Sequence, residues 1–172
     1  DSGIQGAAEE ALGDVAGAAV VIDPRSGDVL ALASSPAFDP NLFCPSISRA
    51  DFAALTGNEL RPLYNRAAKG VYAPGSIFKP VVAIAALESG RLQPDDVFDC
   101  PGYFQLGNRS FACFLNIAHG PVDYRKAIEV SCNVFFYRVG LAAGYETIRD
   151  SARAFGLGEK TGIEIDESEG LL

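Results

Sequence analysis

Two short stretches of this sequence hold residue types suited to acyl transfer through a serine. In "PGSIFKP", Ser76 stands three residues before Lys79. On a helix, residues three apart share a face, so hydroxyl and amine come within reach of one another. Ile77, Phe78, Val81 and Val82 surround the lysine in sequence. Desolvation disfavours an ammonium and leaves a neutral amine able to take the serine's proton. The preceding Pro-Gly pair breaks the incoming chain and puts Ser76 at a helix start. Exposed N–H groups and partial positive charge there favour a developing oxyanion. Pro80 has no N–H to give the Ser76 carbonyl. In "EVSCNVFFY", Ser131 and Asn133 lie two apart, which in an extended or turn segment aims both side chains at one cleft. Serine and asparagine are also ordinary helix caps, and a lysine among apolar residues also snorkels. Either motif alone leaves capping and chemistry open.

Three of the four cysteines and the only histidine, Cys100, Cys113, His119 and Cys132, crowd the middle of the chain. Three thiolates and an imidazole make a closed tetrahedral zinc set. The spacing lacks a Cys-x-x-Cys knuckle, and two other readings stand beside the metal. One is a Cys100–Cys113 disulfide in an oxidising compartment. The other is a loop histidine with Cys132 as a small buried hydrophobe. Cys44, in "LFCPS", is an unassigned thiol.

The elements that must position these groups are mostly helical. A lead-in helix is expected over Ile4 to Asp14, and a hairpin from Ala18 to Asp23 and Val29 to Ser34 around "PRSGD". Ser48 and Asp51 cap a short helix ending at Gly57. The long apolar helix begins at the Ser76 stretch and stops at Gly90. Residues 91–121 read as an irregular excursion. Two helices meet near Ser131, an amphipathic helix spans "YETIRDSARAFGLG", and "TGIEI" reads as a short strand. The hairpin is the only sure sheet and is too little to stand alone. The 172 residues with 48% hydrophobic content suit a globular domain with a real core. A net charge of −8 argues against a nucleic-acid partner, whose phosphates need clustered Lys and Arg. With no initiator Met or signal peptide, the chain reads as an excised piece of something longer.

"APGSIFKP" together with "SCN" resembles the serine acyltransferases that react with penicillin, whose first two motifs are Ser-x-x-Lys and Ser-x-Asn. The likeness is broader than the motifs. "GAAVVIDPRSGDVLALASSPAFDPN", "NRAAKGVYAPGSIFKP", "HGPVDYRKAIEVSCNVFFY" and "FGLGEKTGIEI" resemble the class B penicillin-binding proteins, most of all the elongation-specific group. The resemblance implies the N-terminal portion of an α/β (α+β) transpeptidase fold of the serine β-lactamase kind over residues 1–172. It implies peptidoglycan cross-linking: Ser76 attacks the penultimate D-alanine carbonyl of a stem pentapeptide, terminal D-alanine leaves, and an amine of a neighbouring stem resolves the acyl-enzyme. By the same carry-over Lys79 is the base, Ser131 relays a proton to the leaving amine, and Asn133 holds the peptide carbonyl. The Ser76 N–H supplies half of the oxyanion hole, and β-lactams acylate the same serine. Catalysis needs no cofactor. Some relatives bind zinc near the second motif, which makes Cys100, Cys113, His119 and Cys132 a structural zinc set anchoring that motif from behind. A membrane anchor facing the periplasm and a glycan-polymerising membrane partner are implied for the longer protein.

The family's third motif, Lys-Thr/Ser-Gly on a strand, has a lookalike in Lys160-Thr161-Gly162. It follows Ser131 too closely, and Ile163 stands where the family has a small hydroxyl residue, so it is read as a decoy. On that reading the true motif lies beyond Leu172, and the isolated chain is expected not to react appreciably with penicillin. Two rivals remain: a β-lactam sensor or serine β-lactamase sharing the Ser-x-x-Lys helix, and a non-catalytic, metal-stabilised structural module.

Overall fold

Two runs of β-type residues around a Pro-Arg-Ser-Gly-Asp turn make the first pairing, with exposure alternating along both strands. Gly17–Ile22 (β1) and Val29–Ser35 (β2) run antiparallel in the register Gly17↔Ser35, with Ala31 and Ala33 buried on one face. A computed structural model describes all residues, 1–172. The chain divides into two compact units, Asp1–Val71 with Gly162–Glu169, and Tyr72–Thr161 with Gly170–Leu172. In the first unit, Ser2–Leu12 (α1) is capped by Asp1 and lies against β2. There the Gln5 amide accepts from Leu32 N at 2.8 Å and donates to Leu32 O at 3.2 Å, imitating a neighbouring strand. Arg49–Gly57 (α2) starts at Ser48, whose Oγ accepts from Asp51 N. Arg66–Lys69 (α3) starts at Asn65, which takes the Ala67 and Ala68 N–H groups. An ion pair joins Lys69 to Asp166, so the 162–169 segment is tied to this unit.

The second unit holds the candidate chemistry. A 3₁₀ turn over Gly75–Phe78 runs into Lys79–Glu88 (α4), which ends before Gly90 at φ 70°. Phe98–Cys100 (β3) pairs antiparallel with Gly120–Val122 (β6), and between them Tyr103–Leu106 (β4) pairs with Arg109–Ala112 (β5). Tyr124–Glu129 (α5), Asn133–Ala143 (α6) and Tyr145–Ala154 (α7) complete the unit. Its core is built on α6. Val134, Phe135, Phe136 and Val139 pack with Ala83 and Ala86 of α4, Leu92, Val122 and Ala127. Alanines fully buried on α4 and α5 let the backbones approach closely. No helix of the chain is long and apolar enough to cross a membrane.

Helix-rich α/β architecture matches the expectation. Two local expectations fail. Residues 91–121 hold four short strands, because strands of three or four residues are too brief to display a period-two pattern. "TGIEI" forms no strand, since no pairing edge meets it and Gly162 sits at φ 83°.

Candidate active site

The 3₁₀ turn places Ser76 and Lys79 on one side of the chain, since residues three apart eclipse in that geometry. Ile77 therefore points elsewhere and is 81% exposed. The expectation that it helps to bury Lys79 is corrected. Ser76 is exposed, while Lys79, Ser131 and Asn133 are half-buried behind it.

The second motif sits where α5 hands over to α6. Ser131 has φ 52°, a left-handed conformation that a residue with a side chain adopts only when its surroundings hold it there. Here Ser131 N donates to Ile128 O at 3.1 Å and Cys132 N to Ala127 O at 2.8 Å, closing α5. Cys132 then caps α6, its Sγ accepting from Phe135 N at 3.4 Å. The reversal leaves Ser131 and Asn133 facing Lys79, with Cys132 turned into the core at 0% exposure.

Lys79 Nζ donates to Ser131 O at 2.8 Å, to Ser131 Oγ at 2.8 Å and to Asn133 Oδ1 at 2.7 Å. Ser131 Oγ in turn lies 3.0 Å from Ser76 Oγ. The spacing in sequence suggested that Ser76 and Lys79 meet directly. The hydrogen-bonded path instead runs through Ser131. Two of the three partners of Nζ are pure acceptors, a carbonyl and the amide oxygen, and they hold two N–H groups of the amine. The third direction, which carries the lone pair of a neutral lysine, is left facing Ser131 Oγ. Burial holds Lys79 below an ordinary lysine, opposed in part by the negative charge available at Cys113 and Cys132. An exposed hydroxyl, a hydroxyl bridge and a half-buried amine are the arrangement that a serine nucleophile with a base requires.

Behind this row, the three Sγ atoms and His119 Nδ1 lie within 4.8 Å of one another. A tetrahedron with the bond lengths of thiolate- and imidazole-bound zinc has S···S edges of about 3.8 Å and S···N edges of about 3.5 Å. Cys100–Cys113 measures 3.6 Å, Cys113–Cys132 3.8 Å, and Nδ1 is 3.6 Å from Cys100 and 3.4 Å from Cys113. Four of the six edges match, and the donor types are those of a structural zinc site. No disulfide joins Cys100 to Cys113, whose thiols are both free. Burial pushes the Cys132 thiol up to about 12. At Cys113 burial acts the same way but is outweighed by the Val134 N–H and the thiols of Cys100 and Cys132, which leaves it below an ordinary thiol. Cys44 is exposed and free of the cluster.

The loop bearing His119 depends on a glycine. Gly102 has φ 93°, its carbonyl takes the Cys113 N–H at 2.8 Å, and a Cβ there would meet Ala118 N at 3.3 Å. Gly102→Ala forces a left-handed alanine against that backbone and is expected to cost about 1–2 kcal/mol. Thermal unfolding should show a lower Tm.

Lys160-Thr161-Gly162 is exposed and lies in irregular backbone rather than on a strand.

Comparison with known proteins gives one family. The Penicillin binding protein transpeptidase domain matches residues 17–171. The peptidoglycan D,D-transpeptidase MrdA of Acinetobacter baumannii is 43% identical over 174 residues, covering 99% of this chain and 26% of that protein. The crystal structure of Pseudomonas aeruginosa PBP2 superposes with TM-score 0.91 at 39% identity, covering all of this chain and 40% of that one. PBP2 of Helicobacter pylori, solved in complex with MreC, superposes at 0.94 with 31% identity, covering 99% of this chain and 32% of that one. The chain thus spans about a quarter of the length of the curated relatives it matches.

Proposed function

The chain belongs to the penicillin-binding protein transpeptidase family, and we propose that, within a longer protein, it supplies the nucleophile and base of a peptidoglycan D,D-transpeptidase. Support comes from the relatives named for that activity and, above all, from one observation: the unbroken row Ser76 Oγ, Ser131 Oγ, Lys79 Nζ. In the acylation step, Ser76 Oγ attacks the penultimate D-alanine carbonyl as its proton passes to Ser131 Oγ, whose own proton passes to Lys79 Nζ. The return path through Ser131 protonates the leaving nitrogen, so terminal D-alanine departs with a neutral amine and its carboxylate unchanged, and Lys79 is a free amine again. Asn133, held by Lys79, orients the stem-peptide carbonyl. The second half of the cycle repeats the relay with an acceptor amine of a neighbouring stem. β-Lactams enter at the same serine. Reacting the full-length protein with a labelled penicillin and mapping the adduct tests this reading, with Ser76 as the expected site. Rapid turnover of the β-lactam instead of a stable adduct would favour a hydrolase.

Residues 1–172 are, on this proposal, the N-terminal portion of the transpeptidase domain, and the third motif and further sheet strands belong to the remainder. Alone, the chain is expected to label far more slowly than the full protein. Cys100, Cys113, His119 and Cys132 hold a structural zinc that supplies no group to the reaction. Their part is to fix Cys132, and so the two residues flanking it. The setting proposed is the periplasmic face of the inner membrane, beside a glycan-polymerising partner. Solved assemblies of relatives, a PBP2–MreC complex and a peptidoglycan synthase complex, support such partnering.

The depressed Lys79 has a kinetic signature. Only the free amine accepts the proton, so acylation should rise with pH through the lysine's own titration and then level off. The midpoint is expected below the 10.5 of an ordinary lysine. Stopped-flow acylation against pH checks it, and a midpoint at or above that value would remove Lys79 as a desolvated base.

A further inference from the structure

Lys79 Nζ has a fourth neighbour besides its three hydrogen-bond partners. Nζ lies 5.6 Å from the centre of the Phe136 ring, over its face. Phe136 is 7% exposed and stands three residues after Asn133 on α6, so that both project from the same side of the helix toward Lys79. The ring is held in place by an edge contact with Phe135, at 5.3 Å between centres and 68° between planes. Its other surroundings are apolar: with Phe104, Phe111 and Tyr137 it lines a pocket of about 280 Å³. A cation above an aromatic face is attracted by the ring quadrupole, and more strongly where water is kept away.

We propose that Phe136 is a positioning residue of the acyl-transfer site, its ring face holding Lys79 Nζ in the row with Ser131 and stabilising the charge that appears there as the proton arrives. The inference rests on the transfer reading above and extends the second motif one helical turn, to Ser131-x-Asn133-x-x-Phe136. Before transfer the amine is neutral and the ring does little. As the ammonium forms, the attraction grows, so the ring favours the transition state over the resting amine. It also favours a lysine already protonated in the resting enzyme. Its removal therefore lowers the acylation rate at high pH, where Lys79 is a free amine, and moves the titration limb to lower pH. The other titratable groups that act on Lys79 are Cys113 and Cys132, and a change confined to the ring leaves them as they are.

Stepwise fluorination withdraws the quadrupole without changing the ring's shape. In the full-length protein, phenylalanine at 136 is replaced by mono-, di- and trifluorinated analogues, and acylation by a labelled penicillin is followed against pH. The high-pH rate should fall progressively, by about threefold over the series, with the limb moving down by about half a pH unit. Phe136→Leu should shift both in the same sense. A flat series, in plateau and in limb, overturns the proposal and leaves Phe136 as packing alone. A flat series in a protein still labelled at Ser76 leaves the transfer reading standing, whereas an unlabelled unsubstituted protein overturns both.

Discussion

Ser76→Ala in the full-length protein should abolish covalent labelling by penicillin, with a loss of about 10⁴–10⁶ in acylation rate. The size follows from what is removed. No other hydroxyl can take over the attack without a rearrangement: Ser131 is the nearest, but it sits half-buried in the bridge between Ser76 and the lysine, not at the exposed end. The substitution should leave the fold intact, because Ser76 is exposed in a 3₁₀ turn with no capping duty for its side chain. An unchanged Tm beside lost labelling is therefore the expected pair of results. Ser131→Ala is a finer probe. It keeps the nucleophile but cuts the only hydrogen-bonded path to Lys79, and a general-base contribution of about 10²–10⁴ should go with it. Stoichiometric labelling of the Ser76→Ala protein would end the assignment of the nucleophile.

Loss of the metal should have the second-largest effect. Cys113→Ser is the variant of choice, since Cys113 lies 3.4 to 3.8 Å from each of the other three ligand atoms. Purified without added metal, the unsubstituted protein should carry one zinc per chain by elemental analysis, and the variant little or none. Structural zinc contributes about 10–16 kcal/mol to small domains that cannot fold without it. This unit has a core of its own around Phe135 and Val139, so a loss of several kcal/mol and a clear drop in Tm are expected instead of complete unfolding. Acylation should fall as well. Cys132 caps α6 between the two second-motif residues, and Ser131 keeps a left-handed backbone only while its neighbours are fixed. A zinc-free protein of unchanged Tm, with a Cys100–Cys113 disulfide mapped by mass spectrometry, would refute the metal site.

The residues legible in sequence were those whose signal is local. Pro-Gly before Ser76, the glycine stops, the Ser48 cap and the β-type runs around the "PRSGD" turn act within a few positions, and the corresponding turn, helices and strands formed there. Cys100, Cys113, His119 and Cys132 were recognisable as a possible ligand set by type, though their spacing left a disulfide open. The short strands of 91–121 escaped because three residues display no period, and the strand expected at "TGIEI" failed because pairing needs a neighbour that no local pattern supplies. Phe136 read as one more apolar residue of a core helix, and the place of its ring beside Lys79 Nζ had no trace in the pattern.

By itself the sequence determined which groups are present and which of them share a helical turn or a strand face, because backbone geometry converts spacing into direction over one or two turns. Only the tertiary structure decided who stands between whom. The α4 and α6 helices close on each other through buried alanines, and that approach sets Ser131, far from Ser76 in the chain, between the nucleophile and its base. Contacts of that kind depend on how side-chain volumes fill a shared interior, which no stretch of the chain specifies alone.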